Sequence, residues 1–126
     1  MKRATREWVK KAEGDWRVAQ RERRSSRPVW EAVGFHAQQC AEKYVKAFLD
    51  ENNIPFEKIH DLVKLLALAA GKLPDLEAMR NELGYLTPFA TASRYPGVEV
   101  DSETAHKARQ IAGKVRKILR ATLGLA

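Results

Sequence analysis

Only one of the 126 residues, Cys40, is a cysteine, so no internal disulfide framework exists and the composition fits a reducing cytoplasm. No run of about 18 apolar residues occurs, which removes a membrane-spanning helix, and with it a membrane partner, from the expectations. The N-terminal stretch MKRATREWVKKAE is basic but has no apolar signal core, and it reads as mature protein. No segment alternates apolar and polar residues for long enough to argue a strand. A nucleophile elbow and a glycine-rich phosphate loop are both missing, which leaves a Ser-His-Asp hydrolase unsupported. Repeats and low-complexity tails are absent as well.

What is present is ordinary in bulk and uneven in placement. The length fits one domain over residues 1–126, large enough for a real core. Apolar content of 44% and charged content of 31% are those of a soluble globular protein. Residues 1–27 carry ten Lys/Arg against four Asp/Glu, residues 28–104 seven against twelve, and residues 105–126 six against none. Basic ends flank an acidic middle. If the first and last helices lie side by side they make one positive face for nucleic acid or an acidic partner; the alternative is two ordinary solvated faces.

The stretch from Trp30 to Asp50 organises the chain. Trp30, Val33, Ala37, Cys40, Ala41, Tyr44 and Phe48 recur at spacings of three and four, the period of an apolar helical stripe. Phe35, Val45 and Leu49 point away from that stripe, with His36, Gln39, Glu42, Lys43 and Lys46 on the polar arc between. A helix apolar on two sides is either central in a bundle or half covered by a second copy. Phe35, Val45 and Leu49 are therefore the candidate homodimer interface.

A first helix is expected from about Ala4 to Arg24, burying Trp8, Ala12, Trp16 and Ala19, with Asp15 at its edge. A short third helix spans about Ile59 to Ala70, ending at Gly71. A fourth opens near Pro74 with Leu76, Met79, Leu83 and Leu86 as its stripe, and a break is expected near Leu86. The last helix starts from a cap at Asp101 or Ser102 and runs to about Thr122. The sum is an all-α, five-helix antiparallel up-and-down bundle.

Three segments together resemble the HEPN family of small helical proteins. They are Phe35-His36-Ala37-Gln38-Gln39-Cys40-Ala41-Glu42-Lys43, His60-Asp61-Leu62, and Arg94-Tyr95-Pro96, in matching order and spacing. The resemblance implies a bundle that commonly dimerises and is often encoded beside a minimal nucleotidyltransferase as a toxin–antitoxin pair. In such pairs the HEPN protein is commonly the ribonuclease toxin; other members bind nucleotides or serve as non-catalytic interaction modules.

Ribonuclease members carry an arginine followed, after four to six residues, by a histidine. Histidine moves protons near neutral pH, and arginine holds the phosphate with a fixed fork of donors. Here no arginine has a histidine five, six or seven positions after it; from Arg94 the next is His106, twelve away. No catalytic pair is assigned on that pattern. A substitute set is His36, Gln39, Lys43 and Lys46 on the central helix with Arg94 and Tyr95 on the loop, placed to hold a nucleotide or RNA phosphate and stack a base. His36 and Arg94 are its candidate catalytic residues. The same side chains also suit satisfied polar positions at a helix seam. His36 and Cys40 are four apart on one face, but no third ligand has convincing spacing, so no metal and no cofactor are expected. Basic residues of the last helix are placed either to touch RNA phosphates or to dock an acidic subunit.

Overall fold

Small and polar side chains, not large apolar ones, form the buried stripe of the first helix, α1 (Arg3–Arg23): Thr5, Ala12, Asp15 and Ala19. Trp8 and Trp16, expected inside, sit half-buried at the edges, where an indole can keep its polar end satisfied. Trp8 Nε1 donates to Asp50 Oδ2 at 2.7 Å. The computed structural model describes residues 1–92 and 95–126; Ser93 and Arg94 lie outside the described residues. Among the described residues the remaining elements are α2 (Trp30–Glu51), α3 (Leu62–Leu68), α4 (Pro74–Glu77), α5 (Arg80–Leu86), a 3-10 turn (Thr87–Ala90) and α6 (Ser102–Thr122). The architecture is all-helical. Six α-helices stand where five were expected, because the fourth divides at Ala78–Met79. There Met79 N bonds Leu76 O at 2.9 Å, an i→i−3 tightening that ends α4. The apolar stripe Leu76, Met79, Leu83, Leu86 continues buried across the break.

Contacts fix the directions of the three long helices. Asp15 meets Lys43, and Thr5 meets Glu51, so α1 and α2 are antiparallel. Gln20 meets Arg109, Trp16 lies against Gly113, and Glu13 meets Arg116, so α1 and α6 are antiparallel too. Trp30 pairs with His106 and Tyr44 with Arg120, so α2 and α6 run the same way. The short helices α3 to α5 and the 3-10 turn carry the chain back between them.

The central helix has almost no free surface. Its buried residues include Val33, Ala37, Cys40, Ala41, Tyr44, Val45, Phe48 and Leu49. Gly34, its one interior glycine, is where the Phe89 ring of the 3-10 turn comes close to the helix backbone; a Cβ there would collide with it. Val45 and Leu49 are fully buried within the chain itself. They are core residues and not the dimer interface expected of them, because α1, α6, α3 and the 3-10 turn all pack on α2. Phe35 alone of that trio keeps some exposure.

The ends follow local chemistry. Asn53 takes positive φ and Ile54 N bonds Leu49 O at 2.8 Å, a 6→1 closure of α2. Asp61 caps α3, accepting from Val63 N at 3.0 Å and Lys64 N at 3.1 Å. Asp101 caps α6, accepting from Thr104 N at 2.8 Å, and these backbone donors hold its carboxyl below the usual range.

Candidate functional site

Three acidic side chains organise the polar interior. Asp15 of α1, 8% exposed, faces the seam with α2. Its Oδ1 lies 2.7 Å from His36 Nδ1 and its Oδ2 2.5 Å from Lys43 Nζ. Residues 36 and 43 are seven apart, two helical turns on one face, which is why one carboxylate reaches both. A carboxylate only accepts, so in the neutral ring Nδ1 carries the hydrogen and Nε2 keeps its lone pair. The Phe35 ring stands edge-on to His36 at 5.1 Å.

Glu42 is the second centre, 2% exposed. Its Oε1 receives Gln38 Nε2 at 3.2 Å and Gln39 Nε2 at 3.4 Å, and lies 2.8 Å from His60 Nδ1; its Oε2 receives Lys46 Nζ at 2.9 Å. Gln38 Nε2 also donates to the His60 carbonyl at 3.1 Å, which ties the approach to α3 onto α2. Lys46, 5% exposed, completes its surroundings with the rings of Trp8 and Phe56 at 5.6 and 5.8 Å. Gln38, Glu42 and Lys46 recur every four residues, a polar stripe turned inward. His60 does not cap α3; the cap is Asp61, and His60 seals Glu42.

Glu13 is the third. Arg116 of α6 grips it with Nε at 2.7 Å and Nη2 at 2.8 Å, the bidentate fork that suits a carboxylate. The Tyr44 hydroxyl donates to the same carboxylate, and Arg120 Nη1 donates to the Tyr44 oxygen at 3.1 Å. Burial alone would raise Glu13, but the Arg116 and Tyr44 hydrogen bonds and the two guanidinium charges hold it below its usual range. Burial and the Glu13 hydrogen bond push Tyr44 upward. Cys40 is pushed upward as well, chiefly by burial, so it is a core thiol and not a nucleophile.

The structure thus divides the expected nucleotide-binding set. His36 and Lys43 converge on Asp15, while Gln39 and Lys46 converge on Glu42. Lys46 is internal and spent on Glu42, so it does not reach a ligand; the interior needed a cation beside that buried carboxylate. His36, Gln39 and Lys43 stay half-buried on the one open strip of α2. Tyr95 is 60% exposed. Arg94 lies outside the described residues. Among the described residues no three His, Cys, Asp or Glu side chains gather to hold a metal ion, and no helix is long and apolar enough to cross a membrane.

The other charged feature is the α1–α6 face, where Arg17 and Arg21 of α1 and Lys117 of α6 stand on neighbouring antiparallel helices, while Lys114 turns to Glu82 of α5. Sequence reasoning anticipated this face but missed the Glu13 and Glu42 centres. The four-residue spacing of Gln38, Glu42 and Lys46 was a legible sign of the latter. Glu13 and Arg116 are joined only by tertiary packing.

The profile of the HEPN domain family matches residues 5–122. An archaeal HEPN homologue known from a crystal structure aligns with a TM-score of 0.74 at 25% identity, covering 98% of this chain and 99% of its own. No curated protein matches the chain.

Proposed function

The chain belongs to the HEPN family, and from that premise we propose that it is the non-catalytic HEPN subunit of a two-component module with a minimal nucleotidyltransferase. It acts as a homodimer in the cytoplasm and takes nucleotide or RNA on its basic α1–α6 face. The observation that carries the non-catalytic half is where the three histidines stand. None follows an arginine at the ribonuclease spacing, His60 is held by the buried Glu42, and His106 packs on Trp30 at 5.1 Å. The positive face supports the anionic ligand, since steering by clustered like charges raises encounter with phosphates. Phe35, on the open strip of α2, is the remaining apolar candidate for the homodimer contact.

Affinity capture of the tagged protein from its native cells tests this. Stoichiometric recovery of a nucleotidyltransferase supports the module, and its absence with only monomer at micromolar concentration overturns it.

A second reading rests on one observation. Asp15 orients His36 so that Nε2 can take a 2′-hydroxyl proton, the arrangement a metal-independent endoribonuclease needs, with Arg94 as the phosphate-holding candidate. RNA cleavage in EDTA that disappears in both His36→Ala and Arg94→Ala, with folding intact by circular dichroism, supports it. Cleavage that survives both changes removes it, and no cleavage by the wild type leaves the non-catalytic subunit standing.

A further inference from the structure

At the C-terminal end of α1 three arginines lie close together without an acid. Arg109 of α6 donates from Nη1 to Gln20 Oε1 at 3.2 Å. Its Nε is buried and meets no acceptor among the described residues, and the same holds for Arg23 Nε. No carboxylate of the described residues lies within ion-pair distance of Arg23, Arg24 or Arg109. The other half-buried arginines of α6 are satisfied: Arg116 by Glu13, and Arg120 by Tyr44 and the Ala126 carbonyl. Burial, then the neighbouring charges of Arg23 and Arg24, hold Arg109 below its usual value. The surroundings work against the cation they contain.

We propose that Arg23, Arg24 and Arg109 form a phosphate-binding subsite at the α1–α6 seam. A buried donor without an acceptor is unfavourable, more so when it is charged, and here two such donors sit on adjacent like charges. A phosphate bound at the outer ends of these guanidinium groups supplies the negative charge that the cluster lacks and reverses the mutual repulsion. The alternative is that the dipole at the end of α1 simply attracts cations. That accounts for Arg23 and Arg24 but not for Arg109, which belongs to another helix and is held beside them through Gln20. The α1–α6 register set by Gln20–Arg109 and Glu13–Arg116 brings Arg23 level with His106, whose ring pairs with Trp30. Aromatic surface next to guanidinium groups favours a phosphate that comes attached to a nucleobase.

The subsite deepens the basic-face half of the function proposed above and rests on it only for the source of the phosphate. The test uses the full chain with inorganic phosphate, a mononucleotide and a single-stranded RNA, comparing wild type with Arg109→Met, Arg23→Gln and the exposed Lys72→Gln. Expected are a loss of about tenfold or more in phosphate affinity for the two arginine variants and no change for Lys72→Gln. RNA binding should lose about one unit of salt slope per removed contact. Without ligand, Arg109→Met should melt no lower than wild type, because it removes a desolvated cation facing two others. Effects seen with mononucleotide but not RNA identify a free nucleotide as the source; effects on RNA with the reduced slope identify the RNA backbone. Variants that bind all three probes like wild type overturn the subsite and leave the basic face standing. A wild type that binds none overturns both.

Discussion

Glu13 and Arg116, 103 positions apart, meet in a two-point grip at 2.7 and 2.8 Å that joins the first long helix to the last. Both are largely shielded, at 21% and 29% side-chain exposure, and Tyr44 shares the carboxylate. Arg116→Met should therefore cost about 2–4 kcal/mol in urea denaturation, because it strands the acid beside the Tyr44 hydroxyl. Glu13→Gln with Arg116→Met should cost less than the two single changes summed; strict additivity would mean the grip contributes nothing.

The same pair sets an acid limit. Glu13 is held below its ordinary range in the folded chain, whereas the unfolded carboxyl titrates near its usual value of about 4.3. Its contribution is present above that unfolded value and is lost as pH falls through the lowered folded one. Melting temperature should fall as pH drops below about 4.5, and Glu13→Gln should flatten part of that fall. An unchanged slope in the variant would assign the acid sensitivity to other carboxylates.

Glu42 carries the most buried charge of the polar interior. Glu42→Gln should destabilise by about 3–5 kcal/mol, since Lys46 is left as an uncompensated buried cation. The further change Lys46→Met should recover much of that loss. Equilibrium denaturation of wild type, single and double variants decides it, and a double variant no better than the single would mean that His60 and the glutamines, not Lys46, set the cost.

Gly34 is retained for closeness and not for flexibility. Gly34→Ala would gain about 1 kcal/mol of helix propensity, yet the new methyl collides with the Phe89 ring, at an overpacking cost of about 1–3 kcal/mol. The net expectation is a loss of stability that Phe89→Leu partly relieves. A Gly34→Ala protein as stable as wild type would show that the 3-10 turn shifts freely on α2.

Cys40 should resist thiol reagents in the native state and react once denaturant opens the core, because burial disfavours its thiolate. Labelling at the rate of an exposed thiol in native buffer would contradict its place in the core.

Helix positions were legible because local signals dominate them: the period of Trp30 to Phe48, Pro74 as punctuation, Asp101 as a cap. The inward turn of α2 was not. Val45 and Leu49 read as a second apolar side, which suits an interface or a core equally well until the number of neighbours is known. His36 and Lys43 were correctly placed on one arc, but their shared acid lies on another helix, and no periodicity reveals a partner 21 or 28 positions away. Lys46 misled for a related reason: its burial depends on the loop that brings Phe56 and His60 over it. The division at Ala78–Met79 left the apolar stripe unchanged and so left no mark on the pattern.

Two of the three acidic centres, Asp15 and Glu13, tie α1 to its neighbours through side chains of fixed position, and that arrangement makes sliding expensive. Moving α1 by one turn, about 5.4 Å, would part Asp15 from His36 and Lys43 and Glu13 from Arg116 and Tyr44 in the same step. Apolar stripes rich in alanine, as here at Ala12, Ala19, Ala105, Ala108 and Ala112, discriminate poorly between adjacent settings because one methyl resembles the next. The charges supply the missing discrimination, so a smooth, small-residue seam still closes in a single alignment.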